Sequence, residues 1–157
     1  MAQQRTHHAT LVIQRRFDAA PERVFHFWAD PVRRGSWDFP GEGWTAEQVE
    51  SDFRVGGRKL SRFGPPGGTP YVEDLRYEDI VPDQRIVFAY TISLGEARLT
   101  ASLATIEFAP DGGGTGLKLT EQMAILDGQD TSDLRRAGWT EALDKLAAAL
   151  AGQPQTA

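Results

Sequence analysis

Nothing narrows the possible folds of this chain as much as its last long helical pattern, from about Thr131 to Ala151. Apolar or small residues recur at Leu134, Ala137, Gly138, Ala142, Leu146 and Leu150, with Trp139 and Leu143 beside them, while Arg135, Arg136, Glu141, Asp144 and Lys145 fall largely elsewhere. This is one amphipathic face at helical period. Asp130, Thr131 or Ser132 can accept from the first free amides, and Gly152 followed by Pro154 closes the far end. Gly138 is the unusual member, because a mid-helix glycine costs about 1 kcal/mol relative to alanine. With Ala137 and Ala142 also small, the pattern predicts a helix that meets its partner tightly at Leu146 and Leu150 and leaves room near Gly138.

What precedes this helix is almost entirely strand. Thr10 to Phe17 alternates, with Leu11, Ile13 and Phe17 on one side, as a half-buried strand does. Pro21 can start a helix whose apolar face holds Val24, Phe25, Phe27 and Trp28, until Asp30-Pro31 interrupts it. A second short helical turn follows to Trp37, and then a Gly/Pro-rich loop, Phe39 to Gly43. The next strands read as Trp44 to Phe53, Arg58 to Phe63, Tyr71 to Ile80, Ile86 to Leu94, Ala97 to Phe108 and Gly116 to Leu126. Between them lie turn signals such as Val55-Gly56-Gly57 and Pro82-Asp83. Strands joined hairpin by hairpin form an antiparallel meander, and a long meander curls. Its concave side needs a cover, and the terminal helix is the only element with a matching stripe. The expected architecture is α+β: a curved seven-stranded antiparallel sheet wrapped around a long C-terminal helix, with two short helices after the first strand. A single domain spans residues 10–152, with flexible termini at 1–9 and 153–157.

Composition excludes several classes of function. At 157 residues the chain can bury a core without covalent staples, and it has no cysteine for disulfide or thiolate chemistry. A net charge of -5, with arginine pairs scattered along the chain, argues against a nucleic-acid or anionic-membrane partner. No apolar run approaches the length of a membrane span, and the start of the chain lacks the apolar segment of a signal peptide, so a cytoplasmic location is expected. Gly112-Gly113-Gly114-Thr115-Gly116 lies between two strands and reads as a hairpin turn, not a phosphate cradle. His7 and His8 fall in the polar terminus, and His26 has no partner at ligand spacing, so no metal and no cofactor is expected.

The ionisable residue of most interest is Glu121. Leu117, Leu119, Met123 and Ile125 share its parity, so the period of two puts its carboxylate on the apolar, helix-facing side. It can anchor a polar ligand group, act as a general base, or be held in an ion pair. Tyr90 shares parity with Ile86, Phe88 and Ile92, which sends its ring inward with a hydroxyl in need of a partner. Trp28, Trp37, Phe53, Tyr71, Phe88, Tyr90, Glu121, Trp139 and Leu143 are the candidate ligand-binding residues. A cavity bounded by aromatics, a few hydroxyls and one carboxylate suits a medium-sized, largely apolar molecule, and the same residues would also build an ordinary core. Leu99 and Leu103 fall opposite Ile106 and Phe108, which leaves them outside and points to a homodimer surface.

The order of elements resembles the helix-grip fold of the START-like (SRPBCC) superfamily. Several stretches are similar to its branch named after the activator of heat-shock protein 90 ATPase. These are Phe17-Asp18-Ala19-Ala20-Pro21-Glu22-Arg23-Val24-Phe25 at a strand-to-helix junction, Trp28-Ala29-Asp30-Pro31 at a helix end, and Asp52-Phe53-Arg54-Val55-Gly56-Gly57-Arg58 at a hairpin. Thr120-Glu121-Gln122 and Gly138-Trp139 with Leu143 and Leu146 complete the set. One departure is Asp38 in Trp37-Asp38-Phe39-Pro40, an acid where an apolar residue is expected. The resemblance implies the fold and a binder of a small hydrophobic or aromatic ligand, lipid-like or polyketide-like, between sheet and terminal helix. It also implies two alternatives, a cyclase or hydrolase type enzyme using Glu121 as acid or base, and a chaperone-associated stress-response module. The eukaryotic chaperone activator carries a further domain ahead of its helix-grip part, and these residues leave no room for one.

Overall fold

The computed structural model describes residues 5–38, 43–126 and 132–152. Along the chain run β1 (Thr6–Phe17), α1 (Pro21–Ala29), α2 (Pro31–Gly35), β2 (Thr45–Ser51), β3 (Arg58–Gly64), β4 (Tyr71–Val81), β5 (Arg85–Leu94), β6 (Ala97–Asp111), β7 (Gly114–Leu126) and α3 (Ser132–Gly152). The strands form one seven-stranded antiparallel sheet in the order β1-β7-β6-β5-β4-β3-β2. β1 closes the meander by pairing with its last strand, and α3 packs across the sheet. This is the expected α+β helix-grip architecture. No helix among the described residues is long and apolar enough to cross a membrane.

Local chemistry sets the junctions. Pro21 and Pro31 open α1 and α2, where a missing amide costs no helical hydrogen bond, and the Asp30 side chain accepts from the Arg33 amide to cap α2. The turn after β2 needs Gly57, because a Cβ there would lie 2.0 Å from the Asp52 carbonyl oxygen. The β4–β5 turn holds Asp83 at φ 65, a left-handed conformation that aspartate tolerates better than most residues.

Four details differ from the sequence expectations. β1 begins at Thr6, not Thr10, so His7 and His8 pair with Ile125 and Ala124 instead of lying in a polar tail. β2 is shorter than the Trp44 to Phe53 pattern, since its apolar ends leave the ladder. In β6 the pairing steps from Ile92↔Thr100 to Ser93↔Arg98, which makes Leu99 the extra residue of a β-bulge. The bulge turns Leu99 inward to 5% exposure while Leu103 stays outside at 40%, so the exposed pair that pointed to a dimer does not exist.

The fourth detail concerns α3. Its buried stripe is Trp139, Leu143, Leu146 and Leu150, whereas Leu134, Ala137 and Gly138 are exposed. The helix is rotated relative to the face read from its small residues, because the bulky side chains set the docking. The cap candidates Asp130 and Thr131, the loop residues 39–42 and Pro154 lie outside the described residues.

Candidate functional site

On β7 the alternation places Leu117, Leu119, Glu121, Met123 and Ile125 all on the buried side. Glu121 is fully buried, between Leu11 of β1 and Ala104 of β6. An unpaired carboxylate there would cost several kcal/mol. Three donors prevent this. Tyr90 Oη donates to Oε1 at 2.7 Å, Trp139 Nε1 donates to the same oxygen at 2.7 Å, and Arg135 Nη1 donates to Oε2 at 2.6 Å.

Arg135 is the hub of this group. Its guanidinium also reaches Tyr90 Oη at 2.8 Å and Thr100 Oγ1 at 2.7 Å, and it lies 5.4 Å from the centre of the Tyr90 ring. Burial pushes the Tyr90 hydroxyl well above its ordinary pKa, and the neighbouring Glu121 adds to the effect, so the group remains a phenol and a hydrogen-bond donor.

A second charged cluster sits across the concave face. Lys59 is buried at 1% exposure, with Asp38 at 2.7 Å, Glu73 in contact and Ser61 Oγ at 3.4 Å. Arg34 completes it, 3.1 Å from Asp38 and stacked over Trp28 and Trp37 at 4.8 and 5.1 Å. Burial alone would raise the Asp38 pKa, but Arg34 and Lys59 outweigh it and hold the carboxyl below its ordinary value. Burial likewise opposes charge on Lys59, yet Asp38 and Glu73 hold the ammonium above its ordinary value. The acid at position 38 is thus the partner of two buried cations.

Between the clusters lies a cavity of about 370 Å³ under the N-terminal half of α3. Gly138, Ala142, Trp139 and Arg135 form its helical wall, and Ser61, Tyr71, Glu73, Tyr90, Ile92 and Leu99 belong to the sheet wall. Nothing lies within 4 Å of where a Gly138 Cβ would be. Near the mouth, Trp44, Phe63 and Tyr71 stand side by side with centroids 5.7 to 6.4 Å apart and planes within 22° of parallel. Among the described residues no group of three or more His, Cys, Asp or Glu could hold a metal ion.

The sequence description of the family termed activator of Hsp90 ATPase homolog 1-like protein matches residues 18–151. The chain belongs to the activator of Hsp90 ATPase homolog 1-like family. Among solved structures, the Mll3558 protein from Rhizobium loti is 42% identical, with a TM-score of 0.85 over 92% of this chain and 99% of its own. A protein from Rhizobium leguminosarum is 37% identical, with a TM-score of 0.91 over 97% of this chain and 100% of its own. An AHSA1-like protein from Aeromonas hydrophila, 20% identical with a TM-score of 0.72 over 95% of this chain and 98% of its own, shares the fold. No curated protein matches the chain.

Within this activator-like domain the sequence candidates separate into two groups. Tyr71, Tyr90 and Trp139 line the cavity, and Glu121 lies behind the last two. Trp28, Trp37, Phe88 and Leu143 are core residues away from the cavity wall, and Phe53 packs edge-on against Phe25 and Tyr77. Residues not anticipated for the site are Lys59, Glu73, Leu99 and above all Arg135. Arg135 sits one helical turn before Trp139 on the same stripe, a spacing that would have placed it inside. Lys59 shares the parity of Ser61 on β3, and both are buried. Leu99 was hidden by the bulge, which has no signature in composition.

Proposed function

We propose that this family member binds a small, largely apolar molecule, hydrophobic or aromatic, in the cavity between α3 and the sheet. One observation carries the reading: the helix that closes the concave face carries Gly138 at the rim of the cavity, with open space where a Cβ would lie, and keeps it at a cost of about 1 kcal/mol in helix propensity. The volume, the aromatic lining and the few convergent polar groups are those of a ligand pocket. The fold supports the same reading, since helix-grip proteins commonly enclose hydrophobic ligands.

The alternative acid–base role for Glu121 has less support. Both carboxylate oxygens are occupied by protein donors, and Tyr90 and Trp139 stand between it and the cavity. Glu121 acts here as the base plate that orients Arg135, Tyr90 and Trp139. Native mass spectrometry of the protein as purified tests the binding reading. A retained small molecule, displaced on Gly138→Leu substitution, is the expected result; a cavity that accepts no apolar or aromatic compound overturns it.

A further inference from the structure

The cavity offers its ligand a specific set of partners, and resting on the binding reading above they define its chemical class. Glu73 and Tyr71 lie two residues apart on one face of β4 and both line the cavity. Lys59 takes Oε1 of Glu73, and among the described residues no donor reaches the other carboxylate oxygen; the side chain keeps 18% of its surface. The Tyr71 hydroxyl likewise has no partner among the described residues. The sheet wall therefore presents acceptor capacity beside the three parallel rings of Trp44, Phe63 and Tyr71. Trp44 is 41% exposed, a large apolar face that a flat ligand would cover.

The charges around the cavity are balanced. Lys59 is matched by Asp38 and Glu73, Arg135 by Glu121, and Lys145 by Glu141 at 3.6 Å. A ligand with a net charge would enter without a counter-ion and carry its desolvation cost uncompensated. A neutral group with an O–H donor meets no such penalty and satisfies Glu73. We infer that Glu73 and Tyr71 form the polar anchor of the cavity, and that its ligand is a neutral, planar aromatic molecule bearing a hydroxyl group, stacked on the Trp44–Phe63–Tyr71 wall.

Calorimetry with four probes of one shape tests this: 2-naphthol, naphthalene, 2-naphthoate and the 2-naphthylmethylammonium cation. The naphthol should bind about ten- to a hundredfold tighter than naphthalene, the range for a hydrogen bond to a charged acceptor. Both ions should bind more weakly than the naphthol. Glu73→Gln should erase most of the naphthol advantage. Because that change also disturbs Lys59, Tyr71→Phe and Trp44→Ala are measured beside it; the first should trim only the naphthol, the second should weaken naphthol and naphthalene alike. If naphthalene binds as well as the naphthol, the anchor is overturned while the cavity reading stands. Tightest binding of the cation or of the naphthoate overturns the neutral-ligand assignment. If no probe binds, the binding reading itself fails.

Discussion

Arg135 Nη1 lies 2.6 Å from Glu121 Oε2, joining the buried carboxylate of β7 to the first half of α3 across 14 residues of sequence. The pair is almost wholly removed from water, with side-chain exposures of 11% and 0%. Breaking such a pair from one side leaves a buried charge without compensation, whereas removing both charges together is often close to neutral. Glu121→Leu alone and Arg135→Met alone should therefore each cost about 3 kcal/mol, and the two combined should recover most of the loss. Urea denaturation of the two single variants and the double variant gives the coupling directly. Additive losses would mean that the two residues stabilise the fold independently.

Gly138→Leu separates binding from folding. With no atom within 4 Å of the new Cβ, the substitution should gain about 0.8 kcal/mol of helix propensity without overpacking. The added side chain would occupy the space next to Ala142 and Trp139, so affinity for any cavity ligand should fall. A stability loss of more than about 2 kcal/mol, the signature of a close-packed site, would contradict the open space.

The docking face of α3 can be checked with two leucines. Leu146 is fully buried and Leu134 is 63% exposed. Leu146→Ala should cost about 2 to 5 kcal/mol, the range for truncation in a packed core. Leu134→Ala should stay within about 0.5 kcal/mol of the parent protein. Comparable losses at both positions would restore the face suggested by the small residues.

The fold was legible because its evidence is periodic. Alternation in β7 places Glu121 inward and alternation in β5 does the same for Tyr90, and the prolines at 21 and 31 mark the two short helices. The site was less legible, for two physical reasons. A guanidinium at position 135 reads as solvent-facing on polarity alone, whereas the buried carboxylate opposite it offsets the cost of taking it out of water. The bulge at Leu99 reverses the parity of everything before it on β6, and neither Leu99 nor its neighbours Arg98 and Thr100 announce it. The aromatics at 28, 37 and 88 were legible as buried but not as core instead of lining, since both environments select the same residue types.

The pH dependence of stability should have two limbs. Asp38 has a folded pKa below its ordinary 3.8, so its contribution is complete above that value and is lost as the pH falls through the folded pKa. Lys59 and Tyr90 have folded pKa values above 10.5 and 10.0, so theirs is complete below those values and is lost as the pH rises further. Urea midpoints should be nearly flat through neutrality and fall beyond both limits. Asp38→Asn should blunt the acid limb; an unchanged acid limb would place the responsible carboxylates elsewhere.

The two ends of α3 are fastened by different means. Leu143, Leu146 and Leu150 plug its second half into the sheet, while the first half rests on Trp139 and the polar contacts of Arg135 beside open space. Apolar plugs release only when the core itself opens, but polar contacts at the edge of a cavity exchange with water one at a time. Amide protons near Gly138 should consequently exchange with solvent faster than those near Leu146. A guest in the cavity would then act as the missing filler, slowing exchange in the first half of the helix and leaving the second half unchanged.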